Sequence, residues 1–550
     1  MPKYTIGVDF GTESARAVVV DVRSGHVAAT ATAAYAHGVI DRTLPGQTAR
    51  LPPDWALQHP GDWLEALEQV LRSVGTGMST DDIVGLGIDF TSCTVLPTTG
   101  DGTPLCLLPD FHAEPHAWPK LWKDHAAQSY ADRFNAGRSH PGGAFLQFYG
   151  GKTSSEWSWA KGWHVLDKAP RVRDAMKRWI EGGDWIVWQL TGTETRSACQ
   201  AGYKAHWQKD AGYPDRLFLQ HLDPALPQLL DRLGPPHPVA QRAGGLQQSW
   251  ATRTGLRAGT PVAVAVIDAH AALPAVGVAG PGQLVAIMGT STVHLLVDPR
   301  RHVIPGISGV VEDGILPGMF GYEAGQASVG DIFQWFVRTL TPERLGTGDT
   351  AFDALEKQAG RLEPGEAGVL ALDWWNGART PLVDAELSGV LIGLTVTTEI
   401  HEIYRALLES TAFGTRRVIE TFTTGGVPIR EVIACGGLAE RNALLLQLTA
   451  DIIGQDVLAA PLAHASAVGA AIYAAAAADA GGGGYADLGD AIAKMGGTDR
   501  TVYHPRPAAH RTYDTLYHEY LDAAKYFGEG GSEVMKRLRR HRGATVSPSP

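Results

Sequence analysis

The chain has 550 residues, 44% hydrophobic and 19% charged, with a formal net charge of −11. That length suits two to four domains with sizeable cores, the apolar content excludes a disordered chain, and the acidic balance argues against a nucleic-acid partner. Cys93, Cys106, Cys199 and Cys435 form neither a CxxC pair nor a disulfide framework, which fits a reducing compartment.

The first elements form an expected antiparallel meander: strand Tyr4 to Asp9, a turn at Phe10-Gly11-Thr12-Glu13, strand Ala15 to Asp21, a Ser24-Gly25 turn, then strand Val27 to Tyr35. The strand pattern starts at once, leaving no signal-peptide regions, so a cytoplasmic location is expected. Asp62 to Val74 carries Leu64, Leu67, Val70 and Leu71 at helical spacing and leads to a parallel-strand candidate, Ile83 to Asp89. The opening recurs at Gly282 to Met288, turn Gly289-Thr290-Ser291-Thr292, and Val293 to Val297, which points to an internal structural repeat. The turn at Gly259-Thr260-Pro261 suggests a boundary, giving domains 1–260 and 261–527. Val432 to Gly437 followed by a helix through Leu446 supplies strand, glycines and helix N-terminus. Val468 to Ala478 is too short to cross a bilayer and reads as a buried helix, and Gly481 to Gly484 as a loop. Residues 528–550, with the basic cluster Lys536 to Arg542 and terminal Ser-Pro repeats, read as a flexible tail.

Asp9-Phe10-Gly11 matches a protein-kinase signature, but no HRD loop or Gly-rich loop precedes it. A strand ending in Asp and turning through Gly-Thr offers a carboxylate, a hydroxyl and backbone amides to a phosphate and its magnesium; an ordinary hairpin is the alternative. The second copy at Gly289-Thr290 favours the phosphate. Gly436 and Gly437 give a nucleotide an approach surface free of side chains, without a Walker lysine or a dinucleotide fingerprint. Asp268 ends an apolar strand-like run, the setting a general base for a hydroxyl needs, with a capping role as the even alternative. His270 has no clustered metal-binding partner and is read as structural. Trp122 and Trp157 suit either a sugar face or the core, and Thr153-x-x-Glu156 fits a capping box.

The runs Gly7-Val8-Asp9-Phe10-Gly11-Thr12, Ile88-Asp89-Phe90-Thr91-Ser92-Cys93-Thr94, Ser154-Ser155-Glu156-Trp157, Gly202-Tyr203-Lys204-Ala205, Asp268-Ala269-His270 and Met288-Gly289-Thr290-Ser291-Thr292, with the segment from Gly389 to Glu409, together resemble the FGGY carbohydrate kinases. Trp122-Lys123-Asp124-His125, Glu323-Ala324-Gly325-Gln326 and Asp373-Trp374-Trp375-Asn376-Gly377 resemble the ribulose-phosphorylating members in particular. The resemblance runs from about Tyr4 to Phe527. It implies an α/β fold of two ribonuclease H-like domains, each a five-stranded mixed sheet flanked by helices, around a cleft that closes in turnover. It also implies phosphorylation of L-ribulose at its 5-hydroxyl by ATP and Mg²⁺, giving L-ribulose 5-phosphate and ADP, in L-arabinose breakdown. D-ribulose, a xylulose or another sugar of the family is the alternative, and a non-catalytic nucleotide-binding sensor is a rival of another class. Carried over, Asp268 is the expected catalytic base, Lys204 and Glu323 hold the sugar, and Ser92 or Cys93 line it. Gly11 and Thr12 meet the transferring phosphate, Asp9 helps hold magnesium, and Gly289, Thr290, Gly436, Gly437 and Asn442 contact the nucleotide. No membrane partner is expected, and a homodimer is carried as a guess.

Overall fold

In a computed structural model the described residues are 2–546, with side chains described through residue 541. The opening meander is β1 (Tyr4–Phe10), β2 (Ser14–Asp21) and β3 (Val27–Ala34). β1 then pairs in parallel with β4 (Ile83–Phe90), after the amphipathic helix α1 (Pro60–Gly75) has covered one face. β5 (Arg242–Gly245), β6 (Pro261–Ala263) and β7 (Val266–Ile267) complete a seven-stranded sheet of order β3-β2-β1-β4-β6-β5, with β7 also parallel to β4. The sheet therefore continues past the boundary expected at 260/261. The apolar run that seemed to open a second domain closes the first, because its hydrogen-bond partner is β4, a strand almost 180 positions earlier.

The second sheet repeats the scheme. β8 (Gln283–Met288) and β9 (Thr292–Asp298) form the hairpin, β10 (Gly309–Glu312) and β11 (Phe320–Gln326) extend it, and β12 (Glu431–Cys435), β13 (Val457–Ala459) and β14 (Thr501–Tyr503) finish the order β10-β11-β9-β8-β12-β13-β14. β8 and β12 are parallel, as β1 and β4 are. Two mixed sheets are thus present, as the resemblance implies, but each has seven strands and not five.

Between the sheets lie α2 (Asp268–Ala275) and α3 (Ala465–Ala477). The alanine-rich α3 packs on β1 and β4 and against α2, although it comes from the second half of the chain. A methyl group on Gly7 would sit 1.8 Å from Ala467 O, and one on Gly87 1.9 Å from Ala470 O, so only glycine lets backbone meet backbone here. One apolar core joins Val18, Val20 and Val84 of the first sheet to Val285, Leu295 and Ile433 of the second through these helices. The Gly481 to Gly484 run is a turn.

The expected flexible tail is largely structured. Helix α4 (Pro507–Gly528) is followed by α5 (Val534–Val546), whose Met535 is buried and whose Lys536 Nζ lies 2.9 Å from Asp384 Oδ2. One face of the basic segment packs, so its charge is not a purely solvated run. The terminal Ser-Pro repeats lie outside the described residues. Among the described residues no helix is long and apolar enough to cross a membrane.

Candidate active site

Asp9 and Asp89 are cross-strand partners at the ends of β1 and β4, and Asp268 follows β7 directly. Three carboxylates therefore gather where three parallel strands end and the connecting loops open. The register aligns Gly7-Val8-Asp9-Phe10 with Gly87-Ile88-Asp89-Phe90, and the Phe10 and Phe90 rings stack at 5.0 Å. Arg16 Nη1 donates to Asp9 Oδ2 at 3.2 Å. Asp89 is fully buried and neither of its oxygens has a hydrogen-bond partner; burial, then the charges of Asp9 and Asp268, raises its carboxyl far above the usual range. The Asp268 carboxyl is pushed up to about 7 by burial and by Asp9, while the backbone amide of Ala269 and the Lys204 ammonium oppose the rise. A carboxylate poised near neutrality is what proton removal from a hydroxyl requires.

Lys204, near the end of helix Ala198–Ala205, is buried and donates to both oxygens of Glu323 on β11, at 2.9 and 3.0 Å. The pair joins the two halves of the chain. Burial alone would raise Glu323, but Lys204 and His270 more than offset it and hold the carboxyl well below its ordinary value. His270, buried against Tyr203, places Nε2 3.3 Å from Glu323 Oε2 without hydrogen-bond alignment, a supporting position in keeping with its structural reading.

Ser92 is partly exposed and Cys93 is buried. Cys93 adopts φ +58, a strained value for a side chain-bearing residue, and buried Lys161 secures it by donating to Cys93 O at 2.8 Å and Leu121 O at 2.7 Å. Burial pushes the Cys93 thiol up to about 12, so the side chain is uncharged at neutral pH. Trp157 lies beneath Lys204, with Nζ 5.7 Å from the ring centre. Trp122 instead buttresses the turn, donating from Nε1 to Thr12 Oγ1 at 3.0 Å, while Gln58 Nε2 donates to Thr12 O. The Thr153–Glu156 capping box is not formed: helix Ser158–Lys168 starts after Trp157, and Glu156 N donates to Ser154 Oγ. Glu156 therefore does not cap that helix.

Both glycine amides close their own turns, Gly11 N donating to Ser14 O at 3.0 Å and Gly289 N to Ser291 O at 2.9 Å. Each glycine's own amide is used within its turn, so what it offers a phosphate is the absence of a side chain. Gly436 has φ +92, and a methyl group on it would lie 2.7 Å from Met288 O, which brings the Gly436-Gly437 turn against the end of β8. The expected helix through Leu446 is broken at Asn442, which caps helix Ala443–Ile453 by accepting from Leu445 N at 2.8 Å and donating from Nδ2 to Glu356 Oε1 at 2.7 Å. Its amide is thereby occupied at both ends. Asp9 and Asp89, cross-strand neighbours at the strand ends, supply hard oxygen donors of the kind magnesium takes, and among the described residues the Asp89 oxygens have no hydrogen-bond partner.

Asp89, Arg16 and Arg379 are absent from the residues picked out by sequence. Asp89 had a signal: Gly-Ile-Asp-Phe repeats Gly-Val-Asp-Phe. Arg379 had none, because only tertiary contacts place it near Glu156.

Comparison with known proteins agrees with this architecture. Residues 4–275 match the N-terminal domain of the FGGY family of carbohydrate kinases and residues 284–478 the C-terminal domain. A ribulokinase of Geobacillus thermodenitrificans is 47% identical over 546 residues, covering 98% of this chain and 97% of its own. A ribulokinase of Halalkalibacterium halodurans is 47% identical over 556 residues, covering 100% and 99%. Among solved structures, a xylulose kinase of Rhodospirillum rubrum superposes with a TM-score of 0.77 at 21% identity over 95% of this chain and 98% of that one, and a ligand-bound xylulose kinase of Lactobacillus acidophilus with 0.79 at 18% over 96% and 99%. With both halves of the chain accounted for, the protein belongs to the FGGY family of carbohydrate kinases and is a sugar kinase.

Proposed function

We propose that this kinase transfers the γ-phosphoryl group of ATP to the 5-hydroxyl of L-ribulose, giving L-ribulose 5-phosphate and ADP, as a cytoplasmic step of L-arabinose breakdown. The observation that carries the chemistry is Asp268, a buried carboxylate raised to about 7 at the strand ends beside the Lys204–Glu323 pair. The substrate assignment is supported by the ribulokinases that match nearly the whole chain.

In this reading Asp268 accepts the proton of the attacking hydroxyl as the oxygen moves toward phosphorus. Lys204 Nζ donates to a sugar oxygen and Glu323 accepts from a neighbouring hydroxyl, while Ser92 and Cys93 bound the ring or chain. Gly11 and Thr12 border the transferring phosphate. Gly289, Thr290, Gly436 and Gly437 make the nucleotide's surface, with Asn442 contributing through the helix it caps. Asp9, aided by Asp89, would hold magnesium, which when bound would neutralise phosphate charge. Closing the halves excludes water, which otherwise competes for the phosphoryl group.

The test is ADP release with Mg-ATP and a panel of L-ribulose, D-ribulose, both xyluloses, glycerol and no sugar. L-ribulose is expected to give the highest kcat/KM. Preference for another sugar of the panel refutes the substrate, and sugar-independent release refutes the transfer.

A further inference from the structure

Among the described residues, no hydrogen bond reaches the carboxylate of Glu156. Its Oε1 lies 3.8 Å from His125 Nε2 and 3.8 Å from Arg379 Nη2, and the side chain is 19% exposed. Its charge contributes to holding up both Lys204 and Cys93, and its chain neighbour Trp157 lies beneath Lys204. It therefore stands at the rim of the site, on the first half of the chain. Arg379 comes from the second half and packs over Gly325, where a methyl group would meet its Cδ at 3.6 Å. Gly325 is two residues beyond Glu323 on β11, hence on the same face of the sheet.

The loop bearing Arg379 is fastened on every side. Ala378 and Asp384 exchange backbone hydrogen bonds at 3.0 and 2.9 Å, and Thr380 N donates to Gly325 O at 3.1 Å. Lys152 of the first half donates from Nζ to Val383 O at 2.8 Å. From α5, Lys536 pairs with Asp384, Arg539 donates to Ala385 O, and the Met535 sulfur accepts from Ser388 N. So many restraints on a surface loop hold one guanidinium at a fixed place beside Glu156.

We propose that Glu156 is a further sugar-binding residue, accepting a substrate hydroxyl, and that Arg379 is a positioning residue that orients Glu156 once the two halves are together. This rests on the sugar kinase reading above. A carboxylate with an imidazole and a guanidinium just beyond hydrogen-bond range keeps its lone pairs available to a ligand. Because Arg379 acts as a charge at 3.8 Å and not as a bidentate fork, lysine can replace it.

The test is steady-state kinetics of wild type, Glu156→Gln, Arg379→Gln, Arg379→Lys and the double variant Glu156→Gln/Arg379→Gln, using whichever sugar of the panel the wild type phosphorylates. Glu156→Gln is expected to raise the sugar KM about 10- to 100-fold, as for one lost hydrogen bond to a charged group. Arg379→Gln should raise it about fivefold or more, Arg379→Lys should restore most of that, and the double variant should be no worse than Glu156→Gln alone. KM for ATP and the melting temperature should stay near wild type. Unchanged sugar KM in Glu156→Gln, equal rises for sugar and ATP, or additive effects in the double variant overturn the proposal while leaving wild-type sugar turnover, and so the function, intact. A wild type that phosphorylates no sugar of the panel overturns both.

Discussion

Asp268, the proposed base, is held in a state that costs stability, and Asp268→Asn separates that cost from the proposed role. The carboxyl moves from its ordinary 3.8 to about 7 on folding, so between these pH values the native state binds a proton that the unfolded chain releases. Stability from this group is therefore present at acid pH and is lost as pH rises toward 7, with no further change above. At 1.36 kcal/mol per tenfold the gap corresponds to about 4 kcal/mol, an upper figure since relaxation reduces it. Asparagine is nearly isosteric, and its amide can donate to the neighbouring carboxylates. The variant should melt roughly 3 °C above wild type at pH 8, given about 2 cal/mol/K of unfolding entropy per residue, and the difference should shrink by pH 5. Its kcat should fall by about 10²–10⁴. Calorimetry across pH reads the first effect and ADP release the second. A variant less stable than wild type at pH 8, or a melting difference independent of pH, refutes the burial argument; retained turnover refutes the base.

The same ionisation predicts that kcat/KM for the sugar falls about tenfold per pH unit below about 7 and is flat just above it, because a carboxyl that already holds its proton cannot take the one on the hydroxyl; a profile flat down to pH 5 contradicts this. Lys204→Met leaves Glu323 buried beside His270 alone and should cost about 3–5 kcal/mol. Adding Glu323→Gln should restore part of the melting temperature without restoring sugar turnover, and a double variant with full activity removes the pair from the site. Gly87→Ala places a methyl group 1.9 Å from Ala470 O and should destabilise by about 3 kcal/mol or more, since backbone on both sides cannot yield; a wild-type melting curve argues against the packing. Truncation after Gly528 removes the anchors on Asp384, Ala385 and Ser388. It should raise the sugar KM with little change in that for ATP, and equal kinetics mean that α5 does not brace the Arg379 loop.

Local features were the legible ones. The meander, both Gly-Thr turns and Asp9 follow from alternation and turn chemistry within about thirty residues. The buried character of Val468 to Ala478 follows from its composition. The boundary at 260/261 failed because Val262 and Val266 choose β4 as partner, a decision no local pattern encodes. Lys204 and Glu323 stood out only through family resemblance, since an isolated lysine and glutamate read as surface residues until their pairing is seen. Asn442 was expected within one helix through Leu446, as a nucleotide contact, whereas it breaks that helix and its side chain caps the next. The tail misled because charge dominates Lys536 to Arg542, whereas packing depends on Met535, Lys536 and Arg539, which share one helical face.

The seating of α3 on β1 and β4 has a consequence for how the chain can be divided. The first 275 residues include every strand of the first sheet, yet they lack the helix that seals its two glycine-bearing central strands. Expressed alone, they would expose a bare groove along Gly7, Gly85 and Gly87 that fits only a polyalanine surface. Translation must run from β1 to α3, deep in the second half of the chain, before these strands are covered, so the first half waits in a partly open state for a segment made much later. Fragments split near 280 should therefore be soluble and active only when co-expressed, each completing the other.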